Sequence, residues 1–120
     1  MKEEDARSYL PMTEAAFHVL LALADGEKHG YAIKKEVSRR TGGKVRLGPG
    51  TLYGIIKRLL LDGLVVESAD RPDPALDDER RRYYRMTRLG HRVAKAEARR
   101  LQELLDTARA KKLLGRPRTA

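Results

Sequence analysis

Gly48-Pro49-Gly50-Thr51-Leu52-Tyr53-Gly54-Ile55-Ile56-Lys57-Arg58-Leu59-Leu60-Leu61-Asp62-Gly63-Leu64-Val65-Val66 reads as a helix with its start and stop written in, turning directly into a strand. Proline suits the first helical position, where its missing N–H would have had no partner. Steps of ~100° per residue over 49–62 put Leu52, Ile55, Ile56 and Leu59 on one face. Gly54, Lys57, Arg58 and Leu61 lie opposite or flanking, with Thr51 and Tyr53 at the edges. Gly63 serves as the residue after the cap, and Leu64 to Glu67 continue as a β-branched strand.

Working outward, Thr13 is placed as the N-cap of a helix through Ala24, carrying Ala16, Phe17, Leu20, Leu21, Leu23 and Ala24 as a broad apolar stripe. Asp25-Gly26 ends it, and a second amphipathic segment runs from about Gly30 to Arg40, burying Ile33 and Val37 and turning Lys34, Lys35, Arg39 and Arg40 outward. Val45-Arg46-Leu47 alternates and is expected to form a minor strand edge. Downstream, residues 68–79 hold two prolines and five acids with no apolar period, the composition of an exposed loop. Arg81 to Met86 should return antiparallel to 64–67, making that loop a hairpin tip. Thr87 then caps a last helix from Arg88 to about Leu114, roughly 40 Å long at the usual rise per residue.

The expected fold is therefore mainly α with a small β-wing: a winged helix-turn-helix domain plus a long C-terminal dimerisation helix. Its parts are an N-terminal arm (1–11), the winged domain (12–87), the last helix (88–114) and a flexible tail (115–120). On that helix Leu89, Val93, Ala94, Leu101, Leu104, Leu105 and Ala108 recur at three and four residue intervals. A helix of this length beside so small a core cannot bury them all in its own subunit, which implies a partner helix and a homodimer. The alternative is that it packs back over the first helix in a monomer.

At 120 residues the chain is sized for one domain. Its formal net charge of +9, with basic excess in both halves, favours an anionic partner. Without cysteine there is neither a disulfide framework nor a thiolate metal site. No apolar run approaches a membrane span and the N-terminus has no signal-peptide core, so a cytoplasmic protein is expected, with no membrane partner. His18, His29 and His91 fall in three different elements without nucleophile, paired carboxylates or phosphate loop, which argues against an enzyme. No cofactor or metal is expected; clustered ligands are hinted at only loosely in the 73–79 acidic loop.

A helix in this setting can enter a DNA major groove. The N–H groups of Gly50 and Thr51 and the Thr51 hydroxyl can donate to a phosphate at the positive end of the helix dipole. Gly54 lets backbone approach base edges or sugar closely, and Lys57 and Arg58 are placed for phosphates or guanine edges. Arg80, Arg81 and Arg82 lead the returning strand, where a wing meets the phosphate backbone or a minor groove. Each has a plainer reading. Thr51 could only cap the helix, Tyr53 could be half-buried against the wing, Lys57 and Arg58 could be solvated charges, and Asp77-Asp78-Glu79 could neutralise the arginines. Of Tyr83 and Tyr84, which point to opposite faces, one should enter the core and the other the surface.

His29-Gly30-Tyr31, Gly48-Pro49-Gly50-Thr51-Leu52-Tyr53, Leu59 with Gly63-Leu64-Val65, and Arg82-Tyr83-Tyr84-Arg85-Met86-Thr87 with Gly90 together closely resemble the PadR family of bacterial transcriptional regulators, over roughly residues 12–92. The resemblance implies a winged helix-turn-helix, a dimerisation helix of the short-tailed type, and repression relieved by a ligand or other signal. By the same resemblance His29 and Tyr31 open the second helix near the DNA backbone, and Thr51 and Tyr53 lie on the recognition helix. The DNA-contact set expected from residues and resemblance together also takes in Lys34, Lys35 and Arg46. Gly48 and Gly54 depart from the serine and proline common in the family, and without tryptophan no drug-sandwiching pocket between dimer-helix tryptophans can form. The expected partners are double-stranded DNA carrying a palindromic operator, a second copy of the chain, and a small-molecule effector of unidentified chemistry. The rival is a winged-helix module for protein–protein or RNA binding, since fold alone does not fix function.

Overall fold

A computed structural model describes residues 5–68 and 82–115. A 3-10 turn over Ala6–Tyr9 precedes α1 (Glu14–Leu23), β1 (Lys28–His29), α2 (Gly30–Arg40), α3 (Pro49–Leu61), β2 (Val65–Glu67), β3 (Tyr83–Met86) and α4 (Arg88–Ala110). The core is built around α1, whose Val19, Leu20, Ala22 and Leu23 are buried against α2, α3, α4 and β3. Ile33 and Val37 of α2, Leu52, Ile56 and Leu59 of α3, and Leu64, Tyr84, Met86 and Val93 complete it. On α2 and α3 these are the apolar faces that helical periodicity picks out, but the stripe expected on α1 is corrected: Leu20 and Leu23 are buried as expected, Val19 and Ala22 join them, and Leu21 and Ala24 are exposed.

Local chemistry fixes the ends of the elements. The Thr13 hydroxyl accepts from the Ala16 N–H at 3.1 Å, and the His29 ring Nδ1 accepts from the Ala32 N–H at 3.1 Å. Gly63, at φ +75°, closes α3: its N–H donates to the Leu60 carbonyl at 3.1 Å and the Leu64 N–H to Leu59 at 3.0 Å. That pair of bonds satisfies two orphan carbonyls and turns the chain into β2. Thr87 welds the start of α4 to this turn. Its Oγ1 accepts from the Gly90 N–H and donates to the Gly63 carbonyl, at 3.0 and 2.6 Å, and its N–H donates to Leu64.

The sheet runs β1-β3-β2, with β3 central and antiparallel to both neighbours. Val65 faces Met86, Val66 faces Arg85 and Glu67 faces Tyr84, while Lys28 and His29 face Tyr84 and Tyr83. The expected minor strand at Val45-Arg46-Leu47 is corrected: the third strand is Lys28–His29, between α1 and α2. The 45–47 segment is held instead by the Thr41 side chain, whose Oγ1 accepts from the Val45 N–H at 3.1 Å. Two boundaries also differ. Residues 6–9 of the expected arm fold into a turn against α4, with Ala6 in the core, and α4 stops at Ala110, where Lys112 takes φ +63°.

The register of α4 divides it in two. Its buried residues are Gly90, Val93 and Glu97, all in the first half. Beyond these, Leu104 and Leu105 stand 56% and 45% exposed. The expectation that Val93 faces a partner is corrected, since its side chain is wholly enclosed in the protomer's own core, and Leu89 packs against that core half-buried. Leu101 and Ala108 are half-buried. Glu97 is 2% exposed, and a charge that deep persists only when its oxygens are bonded. Both are: Arg100 Nε and Nη2 donate to Oε1 and Oε2 at 2.6 and 3.0 Å, and the Met12 N–H donates to Oε2 at 3.0 Å. Among the described residues no helix is long and apolar enough to cross a membrane.

Candidate nucleic-acid interface

Helix α3 rests on the core through Leu52, Ile56 and Leu59 and turns Gly50, Thr51, Gly54, Lys57, Arg58 and Leu61 to solvent. Its N-terminus differs from those of α1, α2 and α4, each of which has a side-chain cap. Gly48 is the N-cap of α3 and supplies none, and Pro49 follows with no N–H. Helix geometry leaves the Gly50 and Thr51 N–H groups without intrahelical acceptors, pointing along the axis at the positive end of the dipole. These are the donors an external phosphate oxygen requires.

The glycines here have no internal steric cause. A Cβ built on Gly48, Gly50 or Gly54 meets nothing within 4 Å, so the fold would accept alanine at each. What a side chain at 50 or 54 would obstruct is the approach of something from outside. Beside them Lys57 is exposed, and Arg58, with a side chain 78% exposed, holds Asp62 only loosely, Nε to Oδ2 being 3.4 Å.

Gly30 is the opposite case. A Cβ there would lie 2.5 Å from the Tyr53 hydroxyl oxygen and 2.9 Å from its ring carbons, so Tyr53 is laid directly over the first turn of α2. Tyr53 is half-buried, joining α3 to α2 and, through a shallow groove shared with Glu67, Arg82 and Tyr84, to the wing. His29 likewise works first as structure. Besides capping α2, its ring meets Tyr83 edge-on at 5.4 Å, tying α2 to β3, and lies parallel to Tyr31 at 6.5 Å. Tyr31 is exposed, with Lys35 Nζ 5.3 Å from its ring centre; Lys34 is half-buried. Arg46 is exposed in the α2–α3 connection and donates from Nε to the Gly43 carbonyl at 3.2 Å.

On the wing, Arg82 is half-buried with Nε 3.8 Å from Glu67 Oε1, so its charge is partly balanced within the protein. Arg80 and Arg81 lie outside the described residues. Tyr84 is the core tyrosine and Tyr83 the half-buried one. Arg85, absent from the contact set read from sequence, is exposed on β3 between buried Tyr84 and Met86. The signal was there in strand alternation, which puts every second residue outward. His18 lies at the α1–α2 crossing, where Arg40 Nη2 donates to its carbonyl at 3.2 Å.

Comparison with known proteins places the chain in a family. The family model for the transcriptional regulator PadR-like family matches residues 19–96. Transcriptional regulator Rv3488 of Mycobacterium tuberculosis is 38% identical over 87 residues, covering 72% of this chain and 75% of that protein. In fold, the chain resembles a transcriptional regulator from Clostridium thermocellum (TM-score 0.66, 24% identity, 92% and 96% of the two chains). It also resembles a PadR family regulator from Clostridium difficile (TM-score 0.67, 20% identity, 86% and 100%). A glycine-opened helix between a tyrosine-packed α2 and a basic wing is thus set in a family of known role: the chain belongs to the PadR-like family of transcriptional regulators.

Proposed function

We propose that the protein is a homodimeric repressor that reads a palindromic operator with α3 and releases it in response to a ligand or other signal. The observation that carries this reading is the outer face of α3: uncapped N–H donors at Gly50 and Thr51, open backbone at Gly54, and Lys57 and Arg58 alongside. Phosphate contacts would set register, and side chains on the same face would read base edges in the major groove. The dimer reading is supported by Leu104 and Leu105 on the half of α4 that the protomer does not bury. Two copies joined there would present their α3 helices to successive major grooves, about one helical turn apart.

Genomic capture of bound DNA tests this. The expected result is an inverted repeat with half-site centres about 10 bp apart, lost on Lys57→Ala/Arg58→Ala substitution. Recovery of RNA, or of DNA with no shared sequence, would support a winged-helix module without gene-specific regulation instead.

A further inference from the structure

Leu61 is 75% exposed, and among the described residues no other large apolar side chain within a helix or strand stands as far into solvent. A solitary surface leucine is ordinary; what marks this one is its place. Gly50, Gly54, Lys57 and Leu61 follow one another at helical spacing and form a single stripe along the outer face of α3. Nothing inside the protein holds Leu61 there. The helix stop at Gly63 takes an apolar contact across it, and buried Leu59 and Leu64 stand on its two sides, the Leu64 N–H bonded to the Leu59 carbonyl. Leu60 lines the groove shared with Glu67, Arg82 and Tyr84 of the wing, and Leu61 belongs to neither that groove nor the core.

We propose that Leu61 reads the C5-methyl of a thymine at one position of each operator half-site, an inference that rests on the DNA-reading role given to α3. Exposed Lys57 and Arg58 beside it mark the face as one that meets a polyanion. A leucine among them can bond neither a phosphate nor the donors and acceptors of base edges. The one methyl group that an unmodified base pair shows in the major groove is thymine's. The amino and keto groups of the other bases would lose water to a leucine and gain no hydrogen bond. Against the methyl, apolar surface of both groups leaves water instead. At Gly50 and Gly54 the stripe carries no side chain, and a Cβ would meet nothing of the protein within 4 Å, so the start of α3 can settle close to the bases. That close approach brings a side chain as short as leucine to the groove floor further along the helix.

The test compares the parent and Leu61→Ala proteins, as full chains, on a duplex recovered by genomic capture. Deoxyuridine, which pairs as thymidine does and lacks only the methyl, replaces thymidine at one symmetry-related pair of positions at a time. At one such pair it should weaken binding by the parent about fourfold per half-site, the worth of one buried methyl-sized group. Leu61→Ala should bind both duplexes equally, and Leu61→Met, of similar volume, should keep the preference. The urea midpoint and sedimentation mass of Leu61→Ala should match those of the parent, as for a surface substitution that touches no core. A parent indifferent to every deoxyuridine overturns the methyl contact and leaves the DNA reading intact. A preference that survives in Leu61→Ala gives the methyl to another side chain and overturns the role of Leu61. An altered sedimentation mass places the leucine between copies of the chain and overturns it as well. A parent that holds no duplex more tightly than any other is a failure of the DNA reading, and the methyl contact falls with it.

Discussion

Two residues carry opposite lessons about why a side chain is present or missing. Gly54 sits mid-helix, where glycine is about 0.8–1 kcal/mol less favourable than alanine, yet no neighbour requires it. Gly54→Ala should therefore raise the urea midpoint, by about 0.5–1 kcal/mol of stability, while lowering operator affinity. A variant that gains stability and binds DNA as before would show that nothing approaches the helix there. Glu97 is the reverse, a charge kept where apolar residues would be expected. The Arg100 guanidinium bonded to its carboxylate holds its pKa below the ordinary value of 4.5; burial opposes this and the Met12 N–H assists it. Because the folded value is the lower one, the stabilisation is fully present above the unfolded pKa and is lost as pH falls through the folded one. Glu97→Gln should cost about 1.5–3 kcal/mol at pH 7, the worth of a hydrogen bond to a charged group. The gap between the two proteins in urea unfolding should close as pH drops below the ordinary carboxylate range. A gap independent of pH would mean that the ionised form of Glu97 is not what matters.

At the scale of elements, what was legible in sequence was what is determined locally. Pro49, Gly63 and the Leu52, Ile56 and Leu59 spacing set α3 with its ends in place, because caps and periodicity act within a few residues. The two-residue β1 was not legible, since Lys28–His29 is a strand only by virtue of pairing with β3. Nor was the division of α4: Val93 and Leu104 obey the same period, and only the docking of the first half on the domain decides which is enclosed. Glu97 looks in sequence like any solvated helix charge. Of the candidate contacts, the exposed face of α3 was read correctly from the helical wheel. Tyr53 half-buried against the wing was one of the plainer readings, but its seat over Gly30 and the contact of His29 with Tyr83 were not legible, because each depends on a residue distant in sequence. Element by element, two outcomes follow. Lys57→Ala/Arg58→Ala should reduce operator affinity with sedimentation mass unchanged; unaltered affinity would remove both from the interface. Leu101→Glu/Leu104→Glu should yield monomers that bind DNA poorly, and an intact dimer would place the association on another surface.

For the molecule as a whole, the division of labour follows from how its surfaces are finished. The core centred on α1 fixes α3, α2 and the wing relative to one another, through Tyr53 over Gly30 and His29 against Tyr83. Leu104 and Leu105 stay exposed on the second half of α4, and the chain carries a net charge of +9. Such a molecule should grip DNA chiefly through phosphates, with sequence choice added by α3. The most direct measurement is the affinity for a captured operator fragment, by fluorescence anisotropy, as salt is raised from about 50 to 200 mM. If the dimer makes six or more phosphate contacts, affinity should fall by about 10³-fold or more across that range, and an unrelated duplex should bind more weakly at each salt concentration. Affinity that barely changes with salt, or that is equal for both duplexes, would contradict recognition of DNA by α3.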